Sequence, residues 1–159
     1  MIDVVERLVA LDRIPQAEAL ARWTWRDHPG LPQAPGLLAV TLAEQGRYAA
    51  ALEPGRAALE SDHPGLGGPE SEALIHHILA RAYGELERWD DAVRHRKATI
   101  EGGEGYHWMQ WRWLAELEAR RGDTAAALSA LDSARARAGE RRGPAAVLDS
   151  LQGRWRSGR

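Results

Sequence analysis

The chain has 159 residues, 44% of them hydrophobic and 28% charged, the length of about one domain and the composition of a protein that buries a core instead of staying disordered. Its 21 basic against 23 acidic residues leave a formal charge of -2, which excludes a surface built throughout to hold nucleic acid or an anionic membrane. Cysteine is absent, so disulfides, thiolate nucleophiles and cysteine-bound metals are excluded as well.

Met1 to Arg7 carries Asp3 and Glu6, where a secretory signal needs a basic start and an unbroken apolar run. No window approaches the roughly 20 consecutive apolar residues of a spanning helix. The expectation is a soluble, cytoplasmic protein that does not engage a membrane. Lys97 is the only lysine and phenylalanine is missing, which reads as coding bias.

An internal repeat organises the rest. The turn Asp27-His28-Pro29-Gly30 recurs 35 positions on as Asp62-His63-Pro64-Gly65. A connector followed by small residues recurs as well: Asp12-Arg13-Ile14-Pro15-Gln16-Ala17, Gln45-Gly46-Arg47-Tyr48-Ala49-Ala50-Ala51, Glu87-Arg88-Trp89-Asp90-Asp91-Ala92 and Arg121-Gly122-Asp123-Thr124-Ala125-Ala126-Ala127. Aligning Ala17, Ala51, Ala92 and Ala127 gives intervals of 34, 41 and 35, the long one holding the helix-breaking cluster Gly65 to Pro69. The first unit, about 1–30, starts with a short helix. In the second, about 33–65, Leu38 and Leu42 share one helical face while Gln45 interrupts the stripe at the helix end. Pro54 falls inside that unit's second helix, where it should kink or shorten it. The third unit, about 71–104, repeats the stripe with Leu79, Tyr83 and Leu86, and the fourth, about 107–138, with Leu114 and Leu117. After Gly143-Pro144, Val147, Leu148, Leu151 and Trp155 make a one-sided stripe over about 144–156, expected as a capping helix. Each unit is thus a pair of antiparallel helices, closest at the aligned alanine, with Ile14, Tyr48 or Trp89 three positions earlier as a plug and Thr124 as a weak substitute.

A period near 34, Leu-Ala before the connector, Gly-Arg-Tyr and Ala-Leu after it and a closing proline resemble the tetratricopeptide repeat. The match runs through Leu38-Ala39, Gly46-Arg47-Tyr48, Ala51-Leu52, Ala58-Leu59 and Pro64, then Leu79-Ala80, Tyr83, Trp89 to Val93 and Ile100, then Trp111, Leu114-Ala115, Gly122-Asp123, Ala127-Leu128 and Ala134. Thr99 stands where the family has a small residue. The resemblance covers most of residues 1–138 and implies one all-α domain over 1–159, a right-handed superhelical solenoid of about four such hairpins closed by the capping helix. It also implies a non-catalytic adaptor that holds a peptide or helix of a partner protein in its concave groove.

Catalytic constellations are thin. His76 and His77 are adjacent, so they point about 100° apart on a helix and cannot share a metal. His95 falls in register with neither, and His28 and His63 precede prolines. No phosphate loop, nucleophile elbow or His-Glu-x-x-His helix is present. Neither enzymatic activity nor a cofactor nor a metal site is expected.

The informative pattern is a lattice on the first helices of units three and four. His77, Arg81 and Glu85 line one face at spacings of four, and Arg112, Glu116 and Arg120 do the same 35 positions later. The resemblance places that face in the groove, together with Glu6, Val40, Glu44, Leu74 and Trp113, and family members often bind acidic tails there. Two readings stand. In one, Arg81, Arg112 and Arg120 hold a partner's acidic segment, with His77 and Trp113 giving shape. In the other, Arg81 pairs with Glu116 and Glu85 with Arg120, and the face neutralises itself at about 0 to 1 kcal/mol per pair.

Trp108 and Trp111 share a face and put at least one ring in the core, while Trp113 points elsewhere; Trp23, Trp25, Trp89 and Trp155 are expected mainly to pack. Two alternatives to the adaptor remain. Nucleic acid could be held by the C-terminal Arg135, Arg137, Arg141, Arg142, Arg154, Arg156 and Arg159, against which only Asp132, Glu140 and Asp149 stand. Self-assembly into a homo-oligomer through an exposed edge is the other.

Overall fold

The computed structural model describes residues 2–28, 30–61, 69–103, 107–139 and 142–156. The described residues form α1 (Ile2–Ala10), α2 (Ile14–Asp27), α3 (Ala34–Glu44), α4 (Leu52–Glu60), α5 (Pro69–Glu85), α6 (Trp89–Glu101), α7 (Trp108–Arg121), α8 (Thr124–Ala138) and α9 (Arg142–Arg156), with no strand among them. Each helix packs on the next in sequence as far as α9, and α3 also touches α1 and α5. One helix pair falls within each of the spans 1–30, 33–65 and 107–138, the pair of α5 and α6 begins two residues before 71, and α9 covers the stretch read as a cap. Among the described residues no helix is long and apolar enough to cross a membrane. The segment Gly65 to Gly68, the second Asp-His-Pro-Gly turn and the Glu6 side chain lie outside the described residues.

The four tight turns share one geometry, five residues before each aligned alanine. Asp12, Gly46, Glu87 and Gly122 all take positive φ, at 56°, 69°, 56° and 93°. At each turn the next amide reaches back to the last turn of the preceding helix: Arg13 N–H to Leu8 O, Arg47 to Leu42, Arg88 to Tyr83 and Asp123 to Glu118, at 2.8, 3.0, 2.9 and 2.9 Å. The amides of Asp12, Gly46, Glu87 and Gly122 themselves donate to Val9, Ala43, Gly84 and Ala119. This double bond pattern is the Schellman closure, which satisfies helix-end carbonyls and needs a left-handed residue. Glycine supplies that at 46 and 122; Asp12 and Glu87 adopt it against steric preference.

The aligned alanines explain the packing. Ala17, Ala51, Ala92 and Ala127 are each 0% exposed, as required where two helices of a hairpin approach most closely. At the α4–α5 crossing glycine is used instead: a Cβ on Gly55 would lie 2.9 Å from Cδ2 of the fully buried Leu79. Pro54 shortens its helix by delaying the start. Ala49–Ala51 form a 3-10 turn and α4 begins at Leu52, so Pro54 falls in the first turn, where its missing N–H costs no helical bond.

Two apolar clusters result. One runs from Val5 through Leu38, Leu42, Ile75 and Leu79 to Tyr83; the other joins Val93, Leu114, Leu131, Leu148 and Leu151, and Leu117 packs against both. Three residues depart from the expected packing: Leu86, read as part of the third unit's stripe, is 46% exposed at its turn. Trp23 is 41% exposed, its ring edge against His28, and Val147 is 40% exposed, so the α9 stripe narrows to Leu148, Leu151 and the half-buried Trp155. Gln45, out of place as an apolar stripe residue, donates from Nε2 to Glu18 at 2.8 Å and so ties α3 to α2.

Candidate functional site

A chain of connected cavities runs along the face formed by α3, α5 and α7. A cavity of about 440 Å³ opens between α5, α6 and α7, with Ala80, Arg81, Glu85, Trp89, Trp113 and Leu117 in its wall. It meets a 340 Å³ cavity toward α3 at Arg81, where Val40, Glu44, Tyr48 and Leu74 contribute. A third, 300 Å³, shares Leu74 and His77 with the second and Trp113 with the first. Glu116 and Arg120 continue the wall toward Leu151 and Trp155 of α9, around a fourth cavity of 380 Å³. Of the residues read from sequence, His77, Arg81, Glu85, Trp113, Glu116 and Arg120 therefore line one surface, with Val40, Glu44 and Leu74 beside them. Arg112 lies outside these walls; its Nε donates to Glu116 Oε1 at 3.1 Å.

The cross-helix ion pairs of the second, self-neutralising reading are not formed. Among the described residues, neither Arg81 with Glu116 nor Glu85 with Arg120 forms an ion pair. The Arg81 guanidinium lies over the Tyr48 ring, 4.1 Å from its centre, and Arg120 over Trp89 at 5.4 Å. The reason is placement: the 440 Å³ cavity lies between α5 and α7 at this level, and each arginine finds an aromatic face instead, Tyr48 in the 340 Å³ cavity for Arg81 and Trp89 in the 440 Å³ one for Arg120. Glu85 is exposed on the rim.

Behind this wall lies a polar layer that sequence spacing did not reveal. Packing of α5 on α6 sets His76 against His95 and His77 against Arg96, both pairs 19 residues apart. The Nδ1 atoms of His76 and His95 are 2.8 Å apart and share one proton-mediated bond, and Tyr83 stacks on His95 with ring centres 5.3 Å apart. Burial, then the neighbouring His76, hold the His95 pKa down to about 4. Arg96, 2% exposed, donates from one terminal nitrogen to Gln110 Oε1 at 2.6 Å and to His77 Nδ1 at 3.0 Å. His77 is thereby fixed as an acceptor at Nδ1; burial and the charges of Arg96 and Arg81 push its pKa down to about 4. Its ring edge meets Trp113, 5.4 Å between centres, and Arg96 covers the same indole at 5.0 Å. His77 and Trp113 are thus positioned by a residue of the second helix, which no lattice drawn on the first helices includes.

Glu118 is the other buried charge, 1% exposed, at the turn position that Leu42 and Tyr83 occupy in the preceding units. Lys97 at 3.0 Å and Arg121 at 2.7 Å compensate it, tying α6 to α7. Trp108 and Trp111 both pack against the second cluster. Of the C-terminal arginines, Arg135 pairs with Asp149 at 2.6 Å, and Arg137 lies over Trp111 at 4.3 Å and donates to Ser133 O; these contacts fix α8 to α9 and to α7. Arg141 and Arg159, with the side chains of Arg142 and Arg156, lie outside the described residues. No group of three or more potential metal ligands occurs among the described residues.

No protein-family model matches the chain, and no curated protein sequence matches it.

Proposed function

We propose that the protein is a non-catalytic adaptor whose α3–α5–α7 face holds a segment of a partner protein, in a tetratricopeptide-like right-handed solenoid of four hairpins capped by α9. The observation that carries this reading is the run of four cavities that share Arg81, Leu74, His77, Trp113, Glu116 and Arg120 from one to the next. A surface of this kind suits an extended or helical segment better than a compact small molecule, because its aromatic and aliphatic wall continues across several helices with cations spaced along it. The four identical Schellman turns and fully buried alanines support the repeat, and the sequence resemblance supports the assignment of the face.

The charge pattern favours an acidic segment. Arg81 and Arg120 rest on aromatic rings and keep their full charge available to a ligand, whereas Arg112 is engaged by Glu116. Charge reversal separates the residues. In affinity capture from lysate of the source cells, Arg81→Glu and Arg120→Glu each lose a protein that the wild type and Arg22→Glu retain. Equal recovery by all four refutes the groove as the binding surface.

A further inference from the structure

Arg96 is held in an electrostatically unfavourable state. Its side chain is 2% exposed, and both groups it bonds, Gln110 and the unprotonated Nδ1 of His77, are uncharged. Its Nε is buried without a hydrogen-bond partner. Among the described residues no carboxylate forms an ion pair with it, and burial, then the charge of Arg81, lowers its pKa to about 10. A buried charge normally carries a partner, since desolvation otherwise disfavours it strongly. The same chain compensates buried Glu118 twice, with Lys97 and Arg121. Arg96 therefore has an unmet demand for an anion, and it forms part of the wall of the 440 Å³ cavity.

The cavity sets the kind of anion. Trp89, Trp113, Leu117 and Ala80 give it an apolar wall, which suits an organic acid with a hydrophobic body. One terminal nitrogen of Arg96 carries no hydrogen bond among the described residues, and it can meet a carboxylate oxygen in a charge-assisted bond. Glu85 stands in the same wall without an ion pair among the described residues, and its charge repels a dianionic phosphoryl group more than a monoanion.

We infer that this cavity receives a single carboxylate borne on an apolar or aromatic group, with Arg96 as counter-ion, Arg81 and Arg120 at the rim and the two indoles as walls. The inference rests on the reading of the groove as a binding surface and names the chemistry of its anchor. Arg96 also donates to His77 and covers the Trp113 indole, so the anchor and the groove wall are one unit.

Thermal unfolding at pH 7.5 in low-salt buffer tests it with defined probes: benzoate, its neutral counterpart benzamide, inorganic phosphate, and the peptide acetyl-Ala-Ala-Phe as free acid and as C-terminal amide. At ten times its dissociation constant a ligand raises Tm of a chain this size by about 3–6 °C. Benzoate and the free-acid peptide raise Tm in a saturable way, while benzamide, the amide and phosphate do so at least tenfold less effectively. A larger response to the peptide acid than to benzoate identifies a chain terminus as the source of the carboxylate; the reverse identifies a free organic acid. Arg96→Lys, which keeps the charge but loses the planar guanidinium and the nitrogen that meets the ligand, weakens the carboxylate response at least fivefold. Arg96→Met with Gln110→Met, which leaves no unpaired amide behind, abolishes it. Equal shifts from acid and amide, a stronger response to phosphate, or an undiminished response in both variants overturns the inference. If no carboxylate shifts Tm while Arg81→Glu still loses its captured protein, the anchor is refuted and the groove reading stands.

Discussion

Glu87 occupies a left-handed turn position, φ 56°, that Gly122 fills with φ 93° in the next hairpin. A side chain in that region costs about 1–2 kcal/mol, whereas glycine adds about 0.4–1 kcal/mol of unfolded-state entropy to be lost on folding. Glu87→Gly relieves the first term and incurs the second, so it stabilises the protein by about 0.5–1 kcal/mol. Gly122→Ala does the opposite by a similar or slightly larger amount. A Cβ at Gly122 would meet nothing within 4 Å, so the whole effect is backbone strain and no packing term confuses it. Glu87 is exposed, which keeps its own contacts out of the comparison. With a urea m-value of about 2 kcal/mol/M, the midpoint moves up by about 0.3–0.5 M for Glu87→Gly and down by as much for Gly122→Ala, at unchanged m. A lower midpoint for Glu87→Gly, or no change for Gly122→Ala, refutes the claim that the four turns are equivalent.

Leu79→Ala removes a fully buried side chain that fills the space over Gly55 and costs about 3–5 kcal/mol, read as a fall in the same midpoint; a loss under about 1 kcal/mol would mean that α4 and α5 do not interlock there. Acid weakens the fold in a defined window. Since burial holds His77 and His95 at about 4 while the unfolded chain takes up protons from pH 6.5 downward, stability is complete above pH 6.5 and falls as pH drops toward 4, by up to about 3 kcal/mol per histidine. Urea midpoints that stay level between pH 7 and 4.5 contradict this. Glu118→Leu restores the apolar residue found at the equivalent turn and leaves Lys97 and Arg121 free to reach water, so Tm holds or rises, whereas Glu118→Ala lowers it; calorimetry of the two variants decides, and a large loss in Glu118→Leu refutes the equivalence.

The helix pairs and their closest approach were legible because small size is a direct requirement of packing: Ala17, Ala51, Ala92 and Ala127 declare themselves in the alignment. The turn geometry was only half legible. Glycine marks it at 46 and 122, but Asp12 and Glu87 adopt the same conformation without a glycine to announce it, and the hydrogen bonds that enforce it come from the backbone. The lattice on α5 and α7 found most of the groove wall because residues four apart share a helix face. It missed Arg96 and His95, which lie on α6, since a lattice drawn on the first helices alone carries no register between the two helices of one hairpin. The structure supplies that register: His76 to His95 and His77 to Arg96 share an interval of 19 residues, which the repeat spacing does not contain. The Arg81–Glu116 pair, one of the two readings left open, does not form for a different reason: equal spacing on two helices fixes register but not the width of the gap between them, and here a cavity keeps the charges apart.

Site-specific photocrosslinking in the source cells tests the central claim most directly, with a photoreactive residue placed at Leu74, at Glu85 or at the exposed Asp132 on α8. The account predicts that Leu74 and Glu85 trap the same partner protein, that Asp132 traps none of it, and that Arg81→Glu abolishes both crosslinks. A partner trapped from Asp132 but not from the groove positions would contradict it.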